Sequence, residues 1–141
     1  MIILDTNVVS EMMKPFPDPV VDGWFTSIYP ADLAFSAITL FEIRYGINLL
    51  PSLAKRRKLG ETLLRIRNEG AFGVILPVGP STAEYAADIF AKRRQVGRPT
   101  AISDCLIAGH VLEHGVTLAT RNIRDFDGVG LSLINPWDNA S

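Results

Sequence analysis

The chain has 141 residues, 14 basic and 15 acidic side chains and a formal net charge of −1. That length suits a single domain, 1–141, with a core that folds without staples. The lone cysteine, Cys105, excludes an internal disulfide and fits a cytoplasmic setting. Near-neutrality excludes a strongly basic surface but not a nucleic-acid partner, because a phosphate-handling site draws positive charge from local side chains or a bound metal.

The chain opens Met-Ile-Ile-Leu-Asp, without a basic leader or a long apolar stretch, so neither a signal peptide nor a membrane span is expected. Ile2-Ile3-Leu4 reads as a buried strand ending on Asp5, with a helix starting at Thr6 or Asn7 and running through Val8, Val9 and Met12-Met13. Lys14 to Pro19 holds three prolines and reads as a loop, after which Pro19 suits the first turn of a helix through Val20, Val21, Trp24 and Phe25. Leu33 to Phe35 is a second strand, Ile38 to Leu50 a helix stopped by Pro51, and Leu53 to Glu69 a helix with Leu59, Leu63 and Ile66 at helical spacing.

Gly70 and Gly73 frame a break before a third strand, Val74-Ile75-Leu76. Ser81-Thr82-Ala83-Glu84 has the pattern of a capping box and opens a helix through Tyr85, Ala86, Ile89 and Phe90 that fades by Gly97. Ser103 to His114 is a helix closed by Gly115, and Thr117 to Ala119 and Leu131 to Ile134 are the last strands. Short apolar strands alternating with helices predict an α/β fold with a central, largely parallel five-stranded sheet flanked by helices.

The acids fall on unexpected faces. At about 100° per residue, Ile38, Tyr45, Gly46 and Leu49 share the side of Glu42, while Arg44 and Asn48 lie opposite. Ile107, Ala108 and Val111 share the face of Asp104, with Glu113 opposite. An ionised carboxylate on an apolar stripe costs several kcal/mol unless a cation or strong donors compensate it. Asp5 ends a buried strand, and ligands of parallel α/β sheets bind at the carboxyl edge of the strands. Asn122 and Asp125 follow the strand Thr117 to Ala119 and reach toward the same edge. Oxygen ligands without a cysteine partner suit a hard cation, Mg²⁺ or Mn²⁺.

Each acid also has a purely structural reading. Thr39 and Glu42 fit a capping box, Asp5 an N-cap, Asp104 an answer to the helix dipole, and Asp125 with Asp127-Gly128 a turn. Agreement on one sheet edge favours the metal reading.

Leu4-Asp5-Thr6-Asn7, Glu42, Asp104 followed by Leu106-Ile107-Ala108, and Thr120-Arg121-Asn122 followed by Asp125-Phe126 form an ordered set that resembles a PIN domain. More narrowly it resembles the VapC/FitB-like toxins of bacterial toxin–antitoxin pairs, over Ile2 to Trp137. The resemblance implies that Asp5, Glu42 and Asp104 hold a divalent metal, with Asp125 as the fourth acid and Asn122 a neutral ligand or a donor behind it. It further implies a metal-dependent endoribonuclease, acting on tRNA or rRNA. The resemblance also implies a homodimer held in check by a cognate antitoxin, with DNA contacted only through that antitoxin.

Thr6 and Thr120 are candidate hydroxyl donors to the substrate phosphate or to the acids. Arg121 and Arg124 flank Asn122 as candidate RNA contacts, and Arg93, Arg94 and Arg98 lead toward Asp104. Lys55-Arg56-Arg57-Lys58 reads as a solvated helix face. Trp24, Phe25, Tyr29, Leu49, Leu50 and Leu53 read as core in preference to a docking groove.

His110-Val111-Leu112-Glu113-His114 matches a zinc-hydrolase pattern, yet both histidines sit at a helix end where the dipole favours them. Cys105 reads as a small core residue, and no Walker loop or G-x-G-x-x-G occurs. Two other functions compete. A phosphatase-like domain also places an acid after its first strand, but here Asn7 stands where such domains carry a second acid. A catalytically silent scaffold for an antitoxin would have no use for the acids.

Overall fold

The computed structural model describes residues 1–138; residues 139–141, the end of the expected domain, lie outside the described residues. Five strands, β1 (Ile2–Leu4), β2 (Leu33–Ser36), β3 (Val74–Leu76), β4 (Thr117–Ala119) and β5 (Ser132–Ile134), form one sheet in the order β3-β2-β1-β4-β5. Every pairing is parallel, so the expectation of a largely parallel sheet understated its regularity. Leu4 stands opposite both Phe35 and Ala119. The residues that follow the three central strands therefore leave the sheet side by side at its carboxyl edge.

Helices α1 (Thr6–Met12), α2 (Pro19–Thr26), α3 (Ala37–Asn48), α4 (Leu53–Glu69), α5 (Pro80–Gln95) and α6 (Ile102–His114) cover the sheet. Alternation along each strand divides the core in two. Leu4, Leu33, Phe35 and Ala119 pack with Val8, Trp24, Ile43, Ile47 and Leu63 of the first four helices. Ile3, Ala34 and Leu118 pack with Ala86, Ile89, Ile107, Ala108 and Val111 of α5 and α6. The α5–α6 crossing needs Gly109: a Cβ there would lie 2.6 Å from the backbone oxygen of Thr82. No helix among the described residues is long and apolar enough to cross a membrane.

Three expectations are corrected. Helix α5 starts at Pro80 rather than at Ser81–Glu84, with proline in the first turn and Thr82 Oγ1 accepting from the Gly79 N–H at 3.3 Å. The inward face of α3 is Thr39, Ile43 and Ile47, while Tyr45, Gly46 and Leu49 face outward. This helix is apolar on two sides, and only contact with the sheet decides which side is core. Finally, Trp24 is buried, but Tyr29, Leu49 and Leu53 are 78%, 64% and 54% exposed, so the latter three are surface.

Candidate metal centre

Asp5 sits one residue past the central strand, where its N–H continues the ladder to Ala119 O at 3.0 Å. Its Oδ1 caps α1 by accepting from Val8 N at 3.0 Å, and its Oδ2 accepts from Thr120 Oγ1 at 2.6 Å. The carboxyl is 4% exposed. Burial raises its pKa, opposed by the donors from Thr120, Val8 and Asn7, and repulsion from Glu42 adds to the rise. Asp5 is thus an N-cap and also one of a group of acids, held rigidly from two sides.

Glu42 belongs to no capping box, because Ser36 caps α3 by accepting from Ile38 N at 3.0 Å. Its Oε1 instead accepts from Thr6 Oγ1 at 2.7 Å, and Thr6 shares a hydrogen bond of 3.1 Å with the buried Thr39. Asp104 lies in the first turn of α6, whose N-cap, Ala101, offers no side-chain acceptor. Burial and repulsion from Glu42, Asp5 and Asp125 push its pKa up to about 6. Asp125 lies on a single 3-10 turn, Ile123–Phe126, between β4 and β5.

Three acids from separate parts of the chain, Glu42, Asp5 and Asp125, thus raise the Asp104 pKa, as expected for carboxylates gathered at one end of the sheet. Among the described residues the ion pairs are Lys14–Glu11 and Glu113–His114, so none of the four acids has a cationic side chain as partner. Folding has gathered negative charge and left it uncompensated, which is the donor set of a hard divalent cation. No three of these acids bring ligand atoms within 4.8 Å of each other.

The tight trio of potential ligands among the described residues is instead His110, Glu113 and His114. Its groups are otherwise engaged. His110 is fully buried, with Nε2 2.7 Å from Ser36 Oγ. Glu113 accepts from Thr82 Oγ1 and lies 3.8 Å from His114 Nε2. Nδ1 of His110 has no partner. Ser36 Oγ, which also accepts from Ile38 N, is the partner of Nε2 in either ring tautomer. Burial lowers the His110 pKa, which keeps the ring neutral. Sequence placed both histidines at the helix end; His110 lies inside the core.

The candidate substrate contacts scatter. Thr120 is fully buried, and its hydroxyl serves Asp5 while accepting from Asn122 N at 3.0 Å. Thr6 serves Glu42. Asn122, Arg121 and Arg124 are exposed beside Asp125, and the Arg121 guanidinium lies 4.9 Å from the Trp137 ring centroid. Lys55, Arg57 and Lys58 are exposed as expected. Arg93 is not on the surface: it is 5% exposed and bonded to backbone carbonyls, so it is no RNA contact. Ser36 and Thr100 escaped the sequence reading, and Thr39 was read only as a cap, because a buried hydroxyl has no signature until its partner is located.

A parallel sheet with a buried aspartate after its central strand and acids converging from α3, α6 and the β4–β5 turn defines a class. Residues 2–130 match the family model of the PIN domain, and the chain belongs to the PIN-domain family. It is similar to the VapC ribonuclease Y4jK of Sinorhizobium fredii, at 37% identity over 99% of this chain and 100% of that one. It is also similar to Toxin FitB of Neisseria gonorrhoeae, at 36% identity over 97% of this chain and 99% of that one. The solved structure of FitAB bound to an IR36 DNA fragment superposes with a TM-score of 0.86 at 36% identity, covering 97% of this chain and 96% of that one.

Proposed function

We propose that this protein is a divalent-metal-dependent endoribonuclease and the toxin of a toxin–antitoxin pair. One observation carries the reading: Asp5, Glu42, Asp104 and Asp125 act on one another at the carboxyl edge of the sheet without a cationic side chain among them. Asp5, Glu42 and Asp104 would hold Mg²⁺ or Mn²⁺, with Asp125 as the fourth acid. The cation supplies Lewis acidity, which orients a phosphodiester, acidifies water and offsets charge developing on phosphate oxygens.

The protein's own part is positioning. Thr120 and the α1 amides fix Asp5, and Thr6 fixes one oxygen of Glu42, leaving the other to orient or deprotonate a water. Arg121, Asn122 and Arg124 line the exposed rim beside Asp125 as the substrate contacts for the RNA backbone. On the other flank, a cleft lined by Thr6, Met13, Glu42, Ile47 and Leu50 adjoins exposed Phe41, Tyr45 and Leu49. An antitoxin segment docked in that apolar cleft would reach the acids directly, which supports a cognate antitoxin as partner. By the same family likeness the assembly is a cytoplasmic homodimer that touches DNA only through the antitoxin.

The test is cleavage of a mixed tRNA and rRNA pool by antitoxin-free protein with Mg²⁺, Mn²⁺ or EDTA, beside Asp104→Asn. Cutting that requires metal and disappears in the variant is expected. Folded protein that cuts RNA under no metal, or only releases phosphate from small esters, would move the assignment to a silent scaffold or a phosphatase.

A further inference from the structure

The buried guanidinium of Arg93 has no carboxylate partner among the described residues, yet its hydrogen bonds converge on one turn. Arg93 lies in the last turn of α5. Its Nη1 donates to Asp127 O at 2.8 Å, its Nη2 to Arg124 O at 3.1 Å, and its Nε to Thr100 Oγ1 at 3.1 Å. Thr100 is itself 5% exposed and passes its hydroxyl proton to Asp125 O at 2.7 Å. Carbonyls 124, 125 and 127 are therefore all gripped from one side by a planar fork and its relay. Thr100 also stands immediately before α6, the helix that carries Asp104.

Burying a cation among neutral carbonyls is expensive, and an apolar side chain would fill the space at lower cost. What an apolar residue does not supply is direction. The Asp125 turn is one 3-10 turn long, closed by Asp125 N to Asn122 O at 3.1 Å and by the longer Asp127 N to Arg124 O at 3.4 Å. Phe126 anchors the turn in the core, and the Arg93 fork adds direction to the backbone that carries Asp125. The flat five-donor fork of arginine is the side chain that fixes several carbonyls at once; lysine is not.

We infer that Arg93, acting through Thr100 and the carbonyls of the 124–127 turn, is a positioning residue that sets Asp125 against Asp104 for metal binding. This rests on the metal-centre reading above. It assigns a function to a cation that touches neither metal nor RNA.

The test is a cycle on full-length, antitoxin-free protein: Arg93→Lys, Thr100→Val, Asp125→Asn, and each of the first two combined with the third. Mn²⁺ affinity without RNA, amide hydrogen exchange across residues 122–128 in EDTA, and the kcat–KM split with RNA are read for each. Arg93→Lys and Thr100→Val are expected to speed exchange in that segment, weaken Mn²⁺ roughly 10–100-fold, as lost supporting partners of metal ligands do, and lower kcat with KM little changed. Neither is expected to weaken Mn²⁺ further in the Asp125→Asn background, because the effect runs through Asp125.

Losses that multiply in the double variants would make Arg93 merely a stabiliser and overturn the inference. Wild-type Mn²⁺ affinity in both Arg93→Lys and Thr100→Val, with Asp125→Asn impaired, would overturn it alone. Unchanged Mn²⁺ affinity in Asp125→Asn would remove the fourth acid and this inference together, leaving Asp5, Glu42 and Asp104 to be judged by Asp104→Asn. Thr100→Val is isosteric, so the inference stays testable if Arg93→Lys fails to fold.

Discussion

Replacing Asp104 by asparagine should stabilise the metal-free protein while abolishing its metal response. In the folded chain the Asp104 pKa is raised from 3.8 to about 6 by burial and by Glu42, Asp5 and Asp125. Below pH 3.8 both states carry the proton and Asp104 costs nothing. As pH rises from 3.8 to about 6, the unfolded chain ionises first and stability falls; above pH 6 the full penalty is present. Two pKa units correspond to about 3 kcal/mol, and partial solvent access at this carboxyl reduces that to about 1–2 kcal/mol. Asparagine carries no charge to repel, and Asp104 has no hydrogen bond among the described residues to lose. In EDTA at pH 7.5, Asp104→Asn is therefore expected to unfold about 3–7 °C higher than wild type.

Groups outside the acid cluster are common to both proteins and cancel in the difference, so the gap should close toward pH 4. Saturating Mn²⁺ should reverse the order, since binding at 100 times Kd adds about 2.7 kcal/mol to the protein that binds it. The assay is urea or thermal unfolding of both proteins from pH 4 to 8, with EDTA or Mn²⁺. A variant that is less stable than wild type in EDTA at pH 7.5, or a gap that does not change with pH, would refute the claim that these acids repel one another in the fold.

Thr120→Val removes the donor to Asp5 Oδ2 and the acceptor of Asn122 N. A loss of about 1.5–3 kcal/mol is expected by urea denaturation, as for a hydrogen bond to a charged group. Because that donor lowers the Asp5 pKa, the acid limb of the pH–rate profile should move to higher pH; an unmoved limb would separate Asp5 from catalysis. His110 behaves oppositely to Asp104 over the acidic range. Its folded pKa is lowered from 6.5 by burial, so its contribution is complete above 6.5 and lost as pH falls and the unfolded chain takes up the proton. The His110 Cε1–H resonance should titrate with a midpoint below pH 6.5; a midpoint at or above 6.5 would contradict a ring held neutral by burial.

Strand and helix identities were legible because each carries its own period, and Asp104 on the face of Ile107, Ala108 and Val111 was correctly seen as an acid turned toward buried surroundings. The same wheel misled for α3, which carries apolar residues on two sides. Glu42 stands at the border between the inward Thr39–Ile43–Ile47 row and the outward Tyr45–Leu49 row. Sequence separates apolar from polar, not covered from uncovered, so Leu49 and Leu53 were read as core. Arg93 was illegible for a related reason. In Lys92-Arg93-Arg94 every residue is cationic, and only the position of the 124–127 carbonyls distinguishes the one that turns inward.

The four acids divide by what holds them. Asp5 is fixed by two donors and Glu42 by one, all hydroxyls or amides from neighbouring elements. Among the described residues the Asp104 carboxylate has no such partner, and Asp125 is steadied through its backbone, by its N–H to Asn122 O and its carbonyl from Thr100. Neutral donors orient a carboxylate without cancelling its charge, whereas an arginine or lysine at the same place would do both. The fold thus spends hydrogen bonds on direction and keeps the charge in reserve. Two carboxylates are held directly, Asp125 is held through its backbone, and the Asp104 carboxylate is the least restrained. A cation that binds there completes a set whose directly held half was built during folding, so metal binding should order the Asp104 side chain more than that of Asp5.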